Sequence, residues 1–325
     1  MGIASNPANI RYNGTGRAYV AEVGGSQWLD LGEMEELNFS VSISTDKLKS
    51  TRNAARATIL EAETEREASL SFGLREMTEE NLKMALLGSA INTDNQSAGN
   101  IDAQSVTLAA DLYVELGKFN VFITKISHGS VTGGPFQIGE TVTGGTSSAT
   151  GKVAWVGSGY LELINVSGTF QSGETITGGT SSASASVTGI ETLEDVVVTD
   201  DATSPTTRYT NGTDYTLDAD YGLIRKLSDG SISGSTAYVS CDYEAVDRKY
   251  IWGLSGSSVE KKFMFVSDKD DQGPRTRWIF HKVKINLNGD FPLIGEGASI
   301  LAVEGSVLAD TSQPSGQEYY KVEMM

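Results

Sequence analysis

The sequence contains little cysteine and proline and no long apolar run. These shortages argue against a disulfide-stabilised protein and against a membrane-spanning one. Cys241 is the only cysteine in 325 residues, so no intrachain disulfide can form. Its neighbours have the pattern of a strand, which predicts a buried and unreactive thiol. No apolar run approaches the roughly 18 residues of a transmembrane helix, so no membrane span is expected. The 36 glycines and only 6 prolines favour many strands joined by tight turns.

Positive charge is also scarce, with 25 lysines and arginines against 42 acidic residues and a net charge of −17. A protein that binds the phosphates of nucleic acid needs clustered basic residues. The excess of acidic residues therefore argues against a nucleic-acid-binding protein. It fits a surface that stays soluble and does not hold DNA. Residues 1–13 lack the basic-then-apolar pattern of a secretory signal, and we therefore expect synthesis in a cytosol.

The clearest local pattern lies in residues 36–74, where apolar residues recur at every second position in two runs. The runs are Leu37, Phe39, Val41, Ile43 and Ala68, Leu70, Phe72, Leu74. This period predicts two strands, each with one buried face, that pair antiparallel.

Charge is divided unevenly along this predicted hairpin. Four glutamates precede the second run, and alternation places them on the same polar face as the serines: Glu61, Glu63, Glu65 and Glu67. Residues 45–60, between the strands, form a predicted arm with a single acid, Asp46, and four basic residues: Lys47, Lys49, Arg52 and Arg56. An acidic wall beside a basic arm suits self-assembly, and a solvated hairpin with a charged tip is the alternative.

The rest of the chain predicts one helix and an internal repeat. Thr78 can cap a helix over residues 78–88, with Leu82 and Leu86 on the side that lies across the sheet. Residues 136–149 recur at 170–183 with a period of 34, so the two copies can cover each other's apolar faces. The predicted domains are 1–125 and 248–325 as halves of one core domain, 126–192 as an inserted repeat module, and 193–247 as a second β module.

No sequence motif for nucleotide, calcium or metal binding matches its template in full. Residues 145–152 resemble a phosphate-binding loop, but the glycine spacing is one residue too long and Val153 replaces the magnesium-binding hydroxyl residue. Residues 268–273 resemble part of a calcium loop, but Ile279 stands where the bidentate glutamate belongs; a charged loop is the favoured interpretation, with a weak cation site as the alternative. His128 and His281 have no ligand at metal spacing. We therefore expect no enzyme, no cofactor and no metal site.

The order of the motifs resembles the major tail tube protein of siphophages. The front half of that family is matched by Leu31-Gly-Glu-Met34 and Glu80-Asn-Leu-Lys-Met-Ala-Leu-Leu-Gly88, and the back half by Phe291-Pro-Leu-Ile-Gly-Glu296 and Val303-Glu-Gly-Ser-Val-Leu-Ala-Asp310. Residues 211–232 and the repeat resemble β modules frequent in phage virion proteins.

This resemblance implies a mainly β fold, with a β-sandwich or barrel-like core, one flanking helix and inserted small β domains. It further implies hexameric rings that stack into a long non-contractile tail tube and conduct DNA during ejection. The implied partners are further copies of the chain, a tape measure protein in the lumen during assembly, tail terminator and distal tail proteins at the ends, and DNA in transient passage. The implied location is the virion tail, after synthesis in the bacterial cytoplasm.

Three hypotheses follow for individual segments. The first is that the face carrying Glu61, Glu63, Glu65 and Glu67 lines or borders the lumen and repels DNA. The second is that the arm docks on a neighbouring ring through its basic residues, with Ile59 and Leu60 supplying apolar contact. The third is that residues 126–192 decorate the outside of the tube. The alternative function is a phage adhesin or decoration protein that binds host glycan through the repeat module.

Overall fold

A computed structural model describes residues 14–52, 56–257, 259–268 and 275–324. The described chain is mainly β and divides into two units: one joins the segment ending at Asn92 to the segment beginning at Lys249, and the other is Thr93–Arg248. The first break therefore falls at Asn92 rather than at the predicted residue 125. The reason is that strands within residues 93–125 pair with strands of the middle segment.

The helix and strands follow in chain order. They are β1 (Gly16–Glu22), β2 (Leu29–Asp30), β3 (Met34–Lys49), β4 (Thr58–Leu74), α1 (Glu79–Ala85), β5 (Ile91–Thr93), β6 (Gly99–Thr107), β7 (Tyr113–Glu115), β8 (Val121–His128), β9 (Thr141–Gly144), β10 (Thr150–Gly157), β11 (Tyr160–Ser167), β12 (Thr175–Gly178), β13 (Ser184–Leu193), β14 (Val197–Thr199), β15 (Arg208–Tyr209), β16 (Tyr215–Asp218), β17 (Leu223–Lys226), β18 (Thr236–Tyr243), β19 (Lys249–Ile251), β20 (Val259–Ser267), β21 (Thr276–Leu287), β22 (Leu301–Val307) and β23 (Tyr320–Met324).

The first unit is built on one antiparallel sheet with the order β2-β1-β20-β21-β22-β4-β3, and β23 pairs with the first half of β21. The two halves of the chain meet where β4 pairs with β22 and β1 pairs with β20. One face of the sheet carries the core, in which Phe72, Phe263 and Phe280 are buried. The predicted pairing of the 37–43 and 68–74 runs is confirmed, with Phe39 opposite Leu70.

Helix α1 packs Met84 and Ala85 into this core, as predicted for its place against the sheet. Thr78 caps it, and its hydroxyl accepts a hydrogen bond from the Asn81 N–H. The predicted apolar side was wrong, because the buried helical residues are Asn81, Met84 and Ala85 rather than Leu82. Asn81 is buried because its amide donates to the carbonyls of Leu31 and Glu76, which satisfies the NH₂ group.

The repeats of the second unit form a closed six-stranded barrel. The strands pair around the circle in the order β8-β11-β10-β9-β12-β13, and β13 returns to β8. Phe136 and Phe170, the aromatic residues of the two repeats, are both buried in its core. Closure leaves the barrel without a free edge, and each repeat covers apolar surface of the other, as the sequence suggested.

The remaining strands of the second unit surround β18, which pairs with β6, β8 and β14. Cys241 lies on β18 and is fully buried, and burial raises the pKa of its thiol to about 12. This confirms the predicted burial. Strands β16, β17 and β7 form a separate three-stranded sheet. No helix in the described part of the chain has the length and apolar character needed to cross a lipid bilayer.

Candidate functional site

The β3–β4 hairpin extends well beyond the sheet that holds its base. Strand β22 pairs with β4 only from Ala68 to Leu74. Residues 41–49 and 58–67, here called the ribbon, have no third strand beside them among the described residues, and Val41 pairs with Ala68 at the ribbon's base. A two-stranded ribbon without a third strand or a covering layer is marginally stable in water. The ribbon is therefore the part of the first unit that is least supported by its own chain.

The ribbon also exposes apolar side chains of unusual size for such an element. Five of them are between 52% and 63% exposed: Val41, Ile43, Leu48, Ile59 and Leu60. Val41 and Ile43 were predicted to be buried, but the sheet's other strands do not reach them. By register, Val41 and Ile43 lie on one face and Leu48 and Leu60 on the other. Exposed apolar side chains on strands with open edges are typical of an interaction surface.

A β-bulge decides which way the ribbon's glutamates point. Ser44 lies opposite Glu65, but Thr45 lies opposite Glu63, so Thr64 is the extra residue. One extra residue exchanges the two faces of a strand beyond it. Glu65 and Glu67 therefore share the face of Ser42 and Ser44, whereas Glu61 and Glu63 share the face of Val41 and Ile43. The prediction of one common face is correct for Glu65 and Glu67 and wrong for Glu61 and Glu63.

The serine face, defined by Ser40, Ser42, Ser44 and Ser69, carries unpaired negative charge. The hydroxyls of Ser40 and Ser69 are 2.8 Å apart across the hairpin. Strand β22 adds Glu304 and Ser306 to this face, opposite Ser71 and Ser69. Within the described residues, Glu65, Glu67 and Glu304 form no ion pair. Glu304 was missed by the sequence analysis, although the alternation of Glu304 and Ser306 with valines was a readable signal.

The opposite face of the ribbon, by contrast, neutralises its own charges. Lys47 Nζ lies 3.2 Å from Glu61 Oε1, and the Thr45 hydroxyl donates to the same oxygen at 2.9 Å. Arg66 pairs with Glu63 at 2.5 Å. Such exposed pairs contribute at most about 1 kcal/mol each. Their effect is to leave this face close to neutral.

The predicted arm is mostly strand and not a separate segment. Residues 45–49 belong to β3 and residues 58–60 to β4, so only 50–57 lie between the strands. Residues 53–55 are outside the described residues. Lys49, Arg52, Arg56, Ile59 and Leu60 are all exposed around this tip. Lys47, which was also predicted to belong to the arm, forms an ion pair with Glu61 of its own hairpin.

Each repeat of the barrel places a glutamate in the glycine turn of the other repeat. Glu174 accepts hydrogen bonds from the N–H groups of Thr146 and Ser147 and from the Ser147 hydroxyl. Glu140 makes the matching contacts with Thr180 and Ser181. The nest of N–H groups that resembled a phosphate loop is therefore already filled by a carboxylate. A clear signal existed, since each repeat copy carries a single charged residue, at the same position.

These bonds set the acidity of both carboxyls. Burial alone would raise the pKa of Glu174, but hydrogen bonds led by those from Ser147 and Gln171 outweigh it and lower the pKa to about 2. The pKa of Glu140 is lowered in the same way, with burial opposed by Ser181 and Gln137. Both groups are ionised at neutral pH and act as structural anions.

A buried charged group lies elsewhere in the second unit. The Arg208 guanidinium is 2.6 Å from Glu162 Oε2 and 3.4 Å from Asp195 Oδ2. The fully buried Tyr215 hydroxyl donates to Asp195 at 2.9 Å. Burial raises the pKa of Glu162, and Arg208 opposes that rise. All of these polar groups are satisfied within the chain, which indicates a structural rather than a catalytic cluster.

No group of three or more potential metal ligands occurs among the described residues. His128 and His281 lie in different units. Most of the calcium-loop resemblance, residues 269–273, is outside the described residues. The site that stands out in the first unit is therefore the ribbon with its serine face.

Comparison with protein families matches the chain to a family model. The model of the family described as "Protein of unknown function UCP028589" matches residues 11–146 and 162–322. Because these stretches make up most of the 325 residues, the chain belongs to that family. The interval between them falls within the repeats, across β10 and the start of β11. No curated protein matches the chain.

Proposed function

We propose that this member of the UCP028589 family is the major subunit of a long, non-contractile phage tail tube. Identical copies would form rings, hexameric by the family resemblance, and the rings would stack around a channel for DNA. The observation that carries the proposal is the ribbon: 19 residues of paired strand with two open edges and exposed apolar side chains. Such an element gains its missing partners when copies associate.

Edge pairing between copies explains how a ring would close. The outer edge of β3 presents 16 residues of strand that no described strand covers. An open edge is a template for another strand. The ribbon edge of β4, residues 58–67, is open as well, so one copy offers two edges of different sequence. A contact between two different surfaces of identical subunits generates a ring when the rotation closes.

The serine face supplies a physical reason for the acidic composition. DNA carries one negative charge per about 1.7 Å of axis, and a basic channel would hold it. A channel wall carrying Glu65, Glu67, Glu304 and serine hydroxyls would repel the phosphates and let DNA pass. Glu61 and Glu63 do not belong to this wall in the revised hypothesis, since the bulge turns them to the other face.

The remaining parts of the proposal follow from the family resemblance. A tape measure protein would occupy the channel during assembly, and tail terminator and distal tail proteins would close the ends. Residues 126–192, which hold the repeats, would decorate the outside, together with the rest of the unit Thr93–Arg248 to which they belong. The protein would be made in the bacterial cytoplasm and reside in the virion tail.

Imaging and light scattering of the purified full chain test the proposal. We expect rings or hollow tubes by negative-stain electron microscopy; a protein that remains monomeric or trimeric at high concentration would contradict it. The lumen assignment has its own test in the triple variant Glu65→Lys, Glu67→Lys, Glu304→Lys. Tubes of this variant should bind double-stranded DNA at low salt, whereas wild-type tubes should not.

A matched control keeps the charge change and moves it to the second unit. Asp218→Lys, Asp220→Lys, Asp229→Lys alters charge by the same amount on acids of that unit. If the control binds DNA as well as the serine-face variant, net charge rather than channel position explains the effect. The lumen assignment would then be wrong.

One observation favours the alternative of a glycan-binding adhesin or decoration protein. The barrel has an open cleft of about 380 Å³ whose lining includes His128, Pro135, Phe136 and Val156 and no residue of fixed charge. Uncharged clefts with a few polar groups suit neutral ligands. Binding of purified monomers or trimers to host-surface glycans, with no rings or tubes at any concentration, would favour this alternative.

A further inference from the structure

The sheet of the first unit ends in surfaces of opposite charge. Register places Lys49 opposite Thr58 at one end of the β3–β4 pair, and Met34 opposite Leu74 at the other. Strand β3 has 16 residues, so the two ends are separated by about 50 Å along the strand at a rise of about 3.3 Å per residue. The end at Lys49 is here called the tip and comprises residues 47–52 and 56–60.

The tip is basic and apolar. Its charged residues are Lys47, Lys49, Arg52 and Arg56, and it contains no acid. Leu48 and Leu60 lie directly opposite each other, with Ile59 beside them, and all three are more than half exposed. A surface of this kind fits a partner that is acidic and apolar.

Such a surface exists at the other end of the same sheet. The segments 30–36, 75–76 and 288–299, here called the acidic end, carry seven carboxylates and one guanidinium, a net charge of −6. The carboxylates are Asp30, Glu33, Glu35, Glu36, Glu76, Asp290 and Glu296. Within the described residues, the one ion pair they form joins Glu35 to Arg75 at 3.4 Å.

The acidic end also carries two aliphatic side chains that are almost fully exposed to solvent. Leu293 is 86% exposed and Ile294 is 98% exposed, on the loop between β21 and β22. When a partner covers adjacent aliphatic side chains that are this exposed, the burial of their apolar surface stabilises the complex.

Short contacts join these segments into one surface. The Glu33 N–H donates to Glu76 Oε1 at 3.0 Å. Ile300 and Glu35 both lie against Gly73 of β4, and Glu35, Glu36 and Asn288 line the same shallow cleft. The start of β3, the end of β4 and both ends of the β21–β22 loop therefore lie together, and Asp290 and Glu296 belong to the loop between those ends.

We propose that the acidic end of one copy receives the tip of the next copy, so that subunits associate head to tail. The partner is a second copy of this chain because the two surfaces are opposite in charge and each exposes apolar side chains. Two tips, or two acidic ends, would repel each other, so the contact also sets a direction. This inference rests on the proposed function and assigns the contact between successive rings.

Two charge-reversal variants test the contact. The tip variant is Lys49→Glu, Arg52→Glu and Arg56→Glu, which changes the tip from a charge of +4 to −2. The acidic-end variant is Glu33→Lys, Glu36→Lys, Asp290→Lys and Glu296→Lys, which changes the acidic end from −6 to +2. Each alone places like charges across the contact, so each should raise the concentration needed for tube growth by at least about tenfold. All seven side chains are exposed, so melting temperatures should be unchanged.

Mixing the two variants provides the decisive measurement. The reversed tip of one variant faces the reversed acidic end of the other, and the remaining pair of surfaces is wild type. An equimolar mixture should therefore grow tubes in which the variants alternate, at a concentration close to that of the wild type. A single chain carrying all seven substitutions should also grow tubes.

The apolar part is tested separately by Leu293→Ser with Ile294→Ser. These side chains make almost no contact within the chain, so stability should not change while tube growth weakens by at least about tenfold. The matched control for the acidic-end variant is Glu115→Lys, Asp218→Lys, Asp220→Lys and Asp229→Lys on exposed positions of the second unit, which should grow tubes normally.

The outcomes separate this inference from the function on which it rests. If wild-type tubes form and the acidic-end variant grows equally well, the contact is wrong and the tube remains. The same conclusion follows if folded variants fail to grow when mixed. If neither the wild type nor the mixture ever associates, the proposed function fails and this inference fails with it.

Discussion

Glu140 and Glu174 show how much one repeated residue contributes to the barrel. Each carboxylate is nearly buried and accepts several hydrogen bonds from the turn of the other repeat. Replacing either by glutamine leaves buried N–H donors without an anion, at a cost of about 1–3 kcal/mol. We expect Glu174→Gln to increase amide hydrogen exchange in the barrel peptides, and Glu140→Gln to do the same. Glu191→Gln, on an exposed strand position, is the control.

The same carboxylates predict how the barrel responds to acid. The pKa of Glu174 is about 2 in the folded chain, below its ordinary value of 4.5. A lowered pKa stabilises the fold above the unfolded value, so this contribution is complete above about pH 5 and is lost as pH falls towards 2. Hydrogen exchange at a series of pH values, corrected for its intrinsic rate, measures this loss. The Glu174→Gln variant should show a weaker dependence, and an unchanged dependence would contradict the assignment.

Arg208 is the residue whose loss should damage the second unit most. Its guanidinium is the cation that Glu162 and Asp195 share in a mostly buried cluster. Arg208→Ala would leave Glu162 buried without its cation, which costs about 3–5 kcal/mol. We expect a large fall in the free energy of unfolding of this unit, measured by urea denaturation. Adding Glu162→Gln should recover part of it, because the uncompensated charge is then gone; no recovery would contradict the explanation.

The ribbon is the element whose behaviour should change on assembly. In the unassembled chain its amides pair across two strands only, so those on the open edges should exchange with solvent rapidly. We expect peptides from residues 58–67 to become protected in assembled tubes, whereas peptides from β21 should be protected in both states. Equal exchange of the ribbon in both states would contradict its role in assembly.

Substitutions on the ribbon's opposite face extend this test. Val41→Lys with Ile43→Lys replaces two exposed apolar side chains that lie outside the core, so the melting temperature should hardly change. Assembly should be lost, because two lysines must then be desolvated at the contact. Ser42→Lys with Ser44→Lys is matched in strand and charge but lies on the serine face, and it should still assemble. Loss of assembly in both variants would not support a face-specific contact.

Particular elements show what the sequence could and could not predict here. The alternation around Phe39 and Leu70 predicted both strands, because a half-buried strand imposes a period of two. The predicted face of Glu61 and Glu63 was wrong, because alternation in the sequence cannot reveal the extra residue of a β-bulge. The burial of Asn81 depends on a carbonyl 50 residues away, and the barrel closes through pairing of β8 with β11. Such long-range contacts leave no local pattern.

For the whole molecule, the two-unit division predicts that the second unit is dispensable for tube assembly. The core of the first unit contains no residue from Thr93–Arg248. Deleting only the predicted module, 126–192, would be the wrong experiment, because β8 pairs both with the barrel and with β18. The chain passes between the two units twice, near Gln96 and near Val246, and these two residues pair with each other. The excision should therefore begin after Gln96 and end before Val246.

We expect a chain that lacks residues 97–245, closed by an Asn-Gly turn, to fold and to assemble. The Gln96–Val246 bridge is antiparallel, so a two-residue turn can join the ends without strain. Circular dichroism should show a cooperative β-rich unit, and electron microscopy should show tubes of smaller outer diameter with the same channel. A chain without residues 48–60, similarly closed, is the contrasting variant and should fold without forming tubes. If the large excision abolishes tubes while the first unit stays folded, the inserted unit takes part in assembly and is not decoration.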